Sequence, residues 1–303
     1  MKKFLVLAAV LSCIAGVSAK ELKVLMIGNS FSNSVKVYLP KVTESAKKHK
    51  LILGSASIGG CALMKHCNNI DKEQKDPNFK SYTFTFTGEK TRKSSVTEAI
   101  KYRKWDIVTI QQVSHQSFKK EMTREYAAKL IAYIRKLAPQ AEIVIHQTWA
   151  YRQDNPKFHN KKAPLTQEQM YNGLVENYNE LAKTHKLRII PVGTAVQLYR
   201  KALPVKEVKY TEAQLKALKR TDKLPDLTGG DPVGKLIWLK KNDKHVYNDR
   251  AHLSQEGAFL QACVWYMFLF DEPASGIRMN FKNAKNQPLM LKCAEEALKQ
   301  YKK

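Results

Sequence analysis

Two short stretches carry side chains of the kind that perform acyl transfer. The first is "LKVLMIGNSFSNS", residues 22–34. Leu22 to Ile27 is apolar but for Lys23, and the chain then breaks into Gly28-Asn29-Ser30-Phe31-Ser32. A buried strand that ends this way is either a capped turn or a platform for a serine hydroxyl. The second is "NDRAHLSQEGAFL", residues 248–260, where Asp249 precedes His252 by three positions. On a turn entering a helix, that spacing sets a carboxylate beside an imidazole. The carboxylate then fixes the ring's tautomer and stabilises its cation, and the second ring nitrogen is left to take a proton from a hydroxyl. Ser254 reads as the N-cap of the helix that follows. Alone, Gly-x-Ser is usually a turn and Asp-x-x-His a surface pair. Together they point to Ser30 as nucleophile, His252 as base and Asp249 as acid, with Ser32 and Ser34 as caps.

Elements must bring these distant stretches together. Apolar strands are expected at 22–27, 51–58, 105–110, 142–147 and 187–192. Helices are expected at 40–49 (with Pro40 at its first position), 97–104, 124–137, 167–185, 195–201 and 254–270. "SYTFTFTGEK", 81–90, alternates like an edge strand. Short Val/Ile-rich strands between helices argue for a parallel sheet covered on both faces. The expected fold class is therefore α/β, a three-layer α/β/α sandwich around a mostly parallel five-stranded sheet. Ligands of such sheets bind at the carboxyl ends of the strands. Three of these ends carry polar or glycine residues: Ser30, Gly59-Gly60 and Gln111-Gln112. After the fourth strand, "HQTWAYR" offers Gln147, Trp149 and Tyr151 as a sugar-binding surface, with a half-buried aromatic as the plain reading of Trp149. His66 is read as a surface histidine or a lining of the mouth. We see no repeats and expect one domain over 20–303, with a Lys-rich surface insertion at about 203–244 that holds one short helix.

The first 19 residues read as a secretory signal peptide: Lys2 and Lys3, an apolar stretch from Phe4 to Leu11, then Val17-Ser18-Ala19 before the cleavage point. The expected location is therefore exported, periplasmic or secreted; "VLSC" ending at Cys13 leaves a lipoprotein anchor as the alternative. The apolar run at 258–270 is too short to span a bilayer. A net charge of +25 is spread along the chain. It comes without zinc-finger spacing or basic-aromatic clusters, so no specific nucleic-acid partner is expected. A solvated basic surface that favours acidic glycans nonspecifically fits better. Cys61, Cys67, Cys263 and Cys293 permit disulfides in an exported chain, and their pairing stays open. No Cys/His spacing looks like a metal site.

The two end stretches, in this order, resemble the first and last blocks of the SGNH (GDSL-type) hydrolase superfamily. "IGNSFS", "IGGCAL" and "IQQVSHQS" are most similar to an SGNH-like family of unknown function from gut bacteria. The resemblance implies a flavodoxin-like SGNH fold and an exported serine esterase that needs no metal or organic cofactor. O-acyl groups, above all O-acetyl on carbohydrate, are the implied substrates. It implies an oxyanion hole from the N–H of Ser30 and of Gly60, with Gly59 the alternative. The chain departs from the family at Asn29, where aspartate is usual, and at the third block, whose Gly-x-Asn-Asp is replaced by "QQVSHQS". Gln112 is the candidate for the missing amide donor, with His115 a second. Substrate contacts are assigned to Gln147 and Trp149. A non-catalytic glycan-binding module on the same scaffold is the competing reading.

Overall fold

A computed structural model describes residues 18–159, 164–203, 208, 210–239, 246–281 and 286–302. The expected signal peptide, including Cys13, lies outside these residues apart from Ser18 and Ala19. In chain order the elements are β1 (Glu21–Gly28), α1 (Ser30–Asn33), α2 (Val35–Ala46), β2 (Lys50–Ser57), α3 (Leu63–Lys75), β3 (Tyr82–Phe86), β4 (Arg92–Ser94), α4 (Val96–Lys101) and β5 (Ile107–Ile110). They continue as α5 (Arg124–Leu137), β6 (Glu142–His146), α6 (Gln167–His185), β7 (Arg188–Ile190), α7 (Val192–Ala202), α8 (Glu212–Ala217), β8 (Val233–Trp238), β9 (Val246–Leu253), α9 (Gln255–Phe270) and α10 (Gln287–Tyr301).

One seven-stranded sheet runs in the order β4-β3-β2-β1-β5-β6-β7. Its parallel part, β2-β1-β5-β6-β7, consists of the five strands expected from the apolar runs. The sheet is larger than expected because β3 and β4 extend it antiparallel beyond β2. The alternation at 81–90 marks β3, but the lateral edge is β4, whose Arg92 and Lys93 are exposed. Successive strands are added outward on one side of β1 as far as β4 and then on the other side from β5 to β7, so strand order reverses between β1 and β5 and the crevice of this sheet opens beyond their carboxyl ends. Register sets those ends level: Ile27 pairs with both Ala56 and Ile110.

Helices α2, α7, α9 and α10 pack together in one layer, and α3, α4 and α5 in another. Thirteen of the sixteen residues of α9 are buried. A helix apolar on every side belongs inside the protein, and α9 lies among α2, α7 and α10. Pro40 falls inside α2, not at its start. The helix begins earlier, at Val35, because Val35, Leu39 and Val42 recur at helical spacing and are fully buried. Three helices escape the sequence reading: the single turn α1, α3, whose "KHCNNIDKEQK" is mostly polar, and α10, which opens on Gln287-Pro288. The Lys-rich segment holds α8 and also β8, which pairs antiparallel with β9 in a separate two-stranded sheet. Ser254 caps α9 as expected, its Oγ accepting from the N–H of Gly257 at 3.1 Å.

Gly257 is also the joint between α9 and the segment before β8. A Cβ there would stand 2.0 Å from the carbonyl oxygen of Pro232. Gly257→Ala should destabilise the fold by about 1–3 kcal/mol through overpacking. The expected reading is a lower urea midpoint at unchanged m-value; a midpoint equal to that of the parent would show that the joint yields freely.

Candidate active site

The nucleophile turn depends first on Gly28. A Cβ at that position would lie 2.3 Å from Ser32 Oγ, so only glycine lets the chain fold back this tightly. Asn29 then caps α1, its Oδ1 accepting from the Phe31 N–H at 3.0 Å. The same oxygen accepts from Gln111 Nε2 at 2.7 Å, and Asn29 Nδ2 donates to the Cys61 carbonyl at 3.0 Å. One buried amide thus ties together the ends of β1, β2 and β5. Ser32 does not cap; its Oγ donates to Gln111 Oε1 at 2.8 Å. Ser34 likewise makes no side-chain cap bond and instead donates to the Phe31 carbonyl. Ser30, first residue of α1, is left partly open at the strand-end crevice.

Asp249 and His252 lie on β9, not on a turn entering a helix. Asp249 is buried and accepts three hydrogen bonds: Oδ1 from the N–H of Ala251 and of His252 (2.9 and 3.0 Å), Oδ2 from His252 Nδ1 (2.7 Å). Burial opposes its ionisation, but these bonds outweigh burial and bring the carboxyl down to about 2. An ionised carboxylate only accepts, so Nδ1 of His252 carries the proton and Nε2 is free to accept. His252 Nε2 stands 2.8 Å from Ser30 Oγ. Residues 222 positions apart therefore form one continuous line: carboxylate, imidazole, hydroxyl. The ring can take the hydroxyl proton as Oγ attacks an electrophilic carbon.

Several contacts fasten β9 in place. Trp149 Nε1 donates to the Ala251 carbonyl at 2.8 Å, and its ring stacks on Phe31 with centroids 4.2 Å apart. Phe31 in turn meets the His252 ring edge-on at 5.2 Å. Arg152 Nη2 donates to Asn248 and Asp154, and Asp154 also accepts from Arg250. Gly234, at φ +114°, leaves room for this guanidinium: a Cβ there would lie 2.5 Å from Arg152 Nη1.

Gly60 follows β2 at φ +61°, in the turn closed by Cys61 N–H to the Ile58 carbonyl. Its backbone is exposed, and an added Cβ would meet nothing. The other expected contacts are not available to a ligand. Gln112 is fully buried, its Nε2 donating to the Met122 carbonyl at 2.6 Å while Oε1 accepts from the N–H of Leu63 and of Val113. It locks the loop after β5 and has no amide hydrogen directed at Ser30's surroundings. Gln147 is equally enclosed, between Tyr301 and Thr194. Trp149 is 0% exposed. The stretch from Gln147 to Arg152 is buried throughout because β9 and α7 cover it. His66 is a core residue, bonded to Tyr82 and pushed down to about 4 by burial. The four described cysteines are free and buried, and no disulfide forms between Cys61 and Cys67. Burial pushes their thiols up, to about 12 at Cys61 and about 11 at Cys67. Asn29, Gln111 and Arg152 are the supporting residues that sequence reasoning passed over. Two signals were present: the polar Gln111 at a strand end, and the departure from aspartate at Asn29. A groove of about 1690 Å³ along β7 between α6, α9 and α10 is not this site: none of its lining residues bonds to Ser30, Asp249 or His252.

Residues 23–211 match the family described as "Domain of unknown function (DUF4886)". The chain belongs to that family. Among solved structures, a DUF4886 family protein from Bacteroides uniformis is 26% identical with a TM-score of 0.68, over 91% of this chain and 93% of that one. A candidate SGNH hydrolase from Slackia heliotrinireducens is 17% identical over 82% and 98% of the two chains, at TM-score 0.49. An acetyl xylan esterase from Geobacillus stearothermophilus is 12% identical over 86% and 97%, at TM-score 0.46. No curated protein matches the chain. The fold is the expected α/β sandwich with a mostly parallel sheet, of seven strands where five were anticipated, and it is shared with the DUF4886 protein from Bacteroides uniformis.

The depressed Asp249 carboxyl makes a signed prediction. Its contribution to stability is fully present above the ordinary carboxylate value of 3.8 and is lost as pH falls through about 2. Asp249→Asn removes that dependence. Urea midpoints measured from pH 5 down to pH 2 should therefore fall less steeply for the variant than for the parent. Parallel curves would refute the depressed pKa.

Proposed function

We propose that the protein is a serine esterase that cleaves O-acyl esters, O-acetyl groups on carbohydrate foremost. The observation that carries this reading is the alignment of Asp249, His252 and Ser30, with contacts of 2.7 and 2.8 Å. His252 Nε2 removes the Oγ proton as Ser30 attacks the ester carbonyl. Asp249 holds the ring and offsets the positive charge it gains. The protonated imidazole gives its proton to the departing alkoxide, leaving the acyl group on Ser30. Water, deprotonated by the same nitrogen, then releases the acid and returns the hydrogen to Oγ.

The tetrahedral oxyanion is received by the N–H of Ser30 and of Gly60. Neither makes a backbone hydrogen bond among the described residues. With Gln112 committed elsewhere, the hole rests on backbone donors. One missing donor typically costs about 10²–10³ in kcat, so turnover is expected to be modest. The alternative of a glycan-binding module loses its main platform, since Trp149 and Gln147 are inside the protein. The carbohydrate alcohol and export to a glycan-bearing compartment follow from the family resemblance and the leader-like first 19 residues.

Hydrolysis of 4-nitrophenyl acetate tests this. Ser30→Ala and His252→Ala should fall on the order of 10⁴-fold or more, and Asp249→Asn by roughly 10⁴-fold where the wrong tautomer results. A fluorophosphonate probe should label Ser30 alone. Equal background turnover in the parent and in Ser30→Ala would overturn the esterase reading, and labelling at another serine would overturn the site.

A further inference from the structure

Beyond the Asp249–His252 pair, the strand-end surface carries a cluster of cations that the ester chemistry does not use. The loop after β5 is rigid: Gln116 N–H bonds to the Val113 carbonyl, Lys119 N–H to the Gln116 carbonyl, and Asn177 clamps the Ser117 carbonyl at 2.7 Å. It displays His115 and Lys119 on its exposed side. The segment after β6 is fixed by Phe158, which is buried, and by Asn155 Oδ1 accepting from the Lys157 N–H at 3.0 Å. Lys157 extends over the Tyr151 ring, Nζ 5.5 Å from the centroid. Tyr151 OH and Ser114 Oγ lie 2.7 Å apart, which joins the two segments. On its other side Tyr151 feels the Asp249 carboxylate: burial raises its phenol, and that charge adds to the effect. Trp149 and Arg152, which flank Tyr151, bond to the carbonyls of Ala251 and Arg250, so the cations border the strand that carries Asp249 and His252.

Their charge is not neutralised. Asp154 is engaged with Arg152 and Arg250, Glu176 with Lys120, and Glu180 with Lys120 and Arg124; Glu121, two residues from Lys119, forms no ion pair with it among the described residues. Among the described residues neither Lys119 nor Lys157 has an ion-pair partner. Both lysines disfavour protonation of His115, whose pKa is lowered by partial burial and then by these two charges. Cations held together on rigid loops, without internal counter-ions, create a standing positive potential at the edge of a crevice.

We propose that Lys119, Lys157 and His115 form an anion subsite on the rim that borders β9, which selects acylated sugars bearing a carboxylate or sulfate. The two ammonium groups pair with the anion, and the neutral imidazole adds a hydrogen bond. The substrate part of this proposal rests on the esterase reading; the anion site itself does not.

Two measurements keep the failures apart. The first compares kcat/KM on an acetylated oligogalacturonide, an acetylated sulfated oligosaccharide and a neutral acetylated xylo-oligosaccharide of equal length. The parent should prefer an anionic substrate, and the preferred anion identifies its source. Lys119→Ala/Lys157→Ala should lower the anionic-to-neutral ratio about tenfold, mainly through KM, and 0.5 M salt should lower the parent's ratio similarly. The second is calorimetric binding of unacetylated oligogalacturonate and of the sulfated oligosaccharide to the parent and the double variant. Binding lost in the double variant supports the subsite even if every ester assay is blank, a result that would remove only the esterase reading. An anionic-to-neutral ratio that is unchanged by the substitutions, or binding of both anions that is equal in parent and variant, overturns the subsite.

Discussion

The hydrogen bond between Ser30 and His252 is the constraint on which the rest of the site depends. A bond of this kind tolerates an error of a few tenths of an ångström, yet its partners come from the turn after the first strand of the sheet and from a hairpin outside it. The base is not carried by the sheet at all. It reaches Ser30 because Trp149 and Arg152, in the segment after β6, hold β9 by its backbone and by Asn248. The burial that removes Trp149 and Gln147 from any ligand is thus the same burial that positions the imidazole. Residues which look like binding residues in the sequence act here as a mount.

A second layer of order lies beneath the nucleophile. Asn29, Gln111 and Ser32 form a closed polar knot, each donor and acceptor matched, at the point where β1, β2 and β5 end together. Buried amides without partners would be costly, whereas a satisfied knot fixes one geometry. Gln112 does the same for the loop after β5. The two glutamines that follow β5 therefore stabilise the floor of the site and do not reach into it.

Much of this was legible before the coordinates. The five parallel strands stand out as Val/Ile-rich runs because both their faces are buried, and Ser30, Asp249 and His252 stand out by type and order. What was hidden is physical in origin. "VYNDRAHL" reads as a turn because Asn248, Asp249 and Arg250 are poor strand formers; β9 forms since β8 and the segment after β6 supply its partners from elsewhere in the chain. Gln112, Gln147 and Trp149 follow strands and carry polar groups, which in a single sequence look exposed. Only the tertiary cover from β9 and α7 makes them interior. The α3 helix was missed for the opposite reason, having a narrow apolar stripe within a polar sequence.

The hairpin origin of the base has a consequence for the order in which the protein is made. A ribosome delivers Ser30 just after the first strand and delivers β9 only after β1 to β7 have all been synthesised. The sheet's local pairings can form as the chain emerges, but the contact that closes the line from Asp249 to Ser30 spans most of the polypeptide. The hydroxyl of Ser30 therefore stays without its imidazole partner until β9 has been made and has paired with β8.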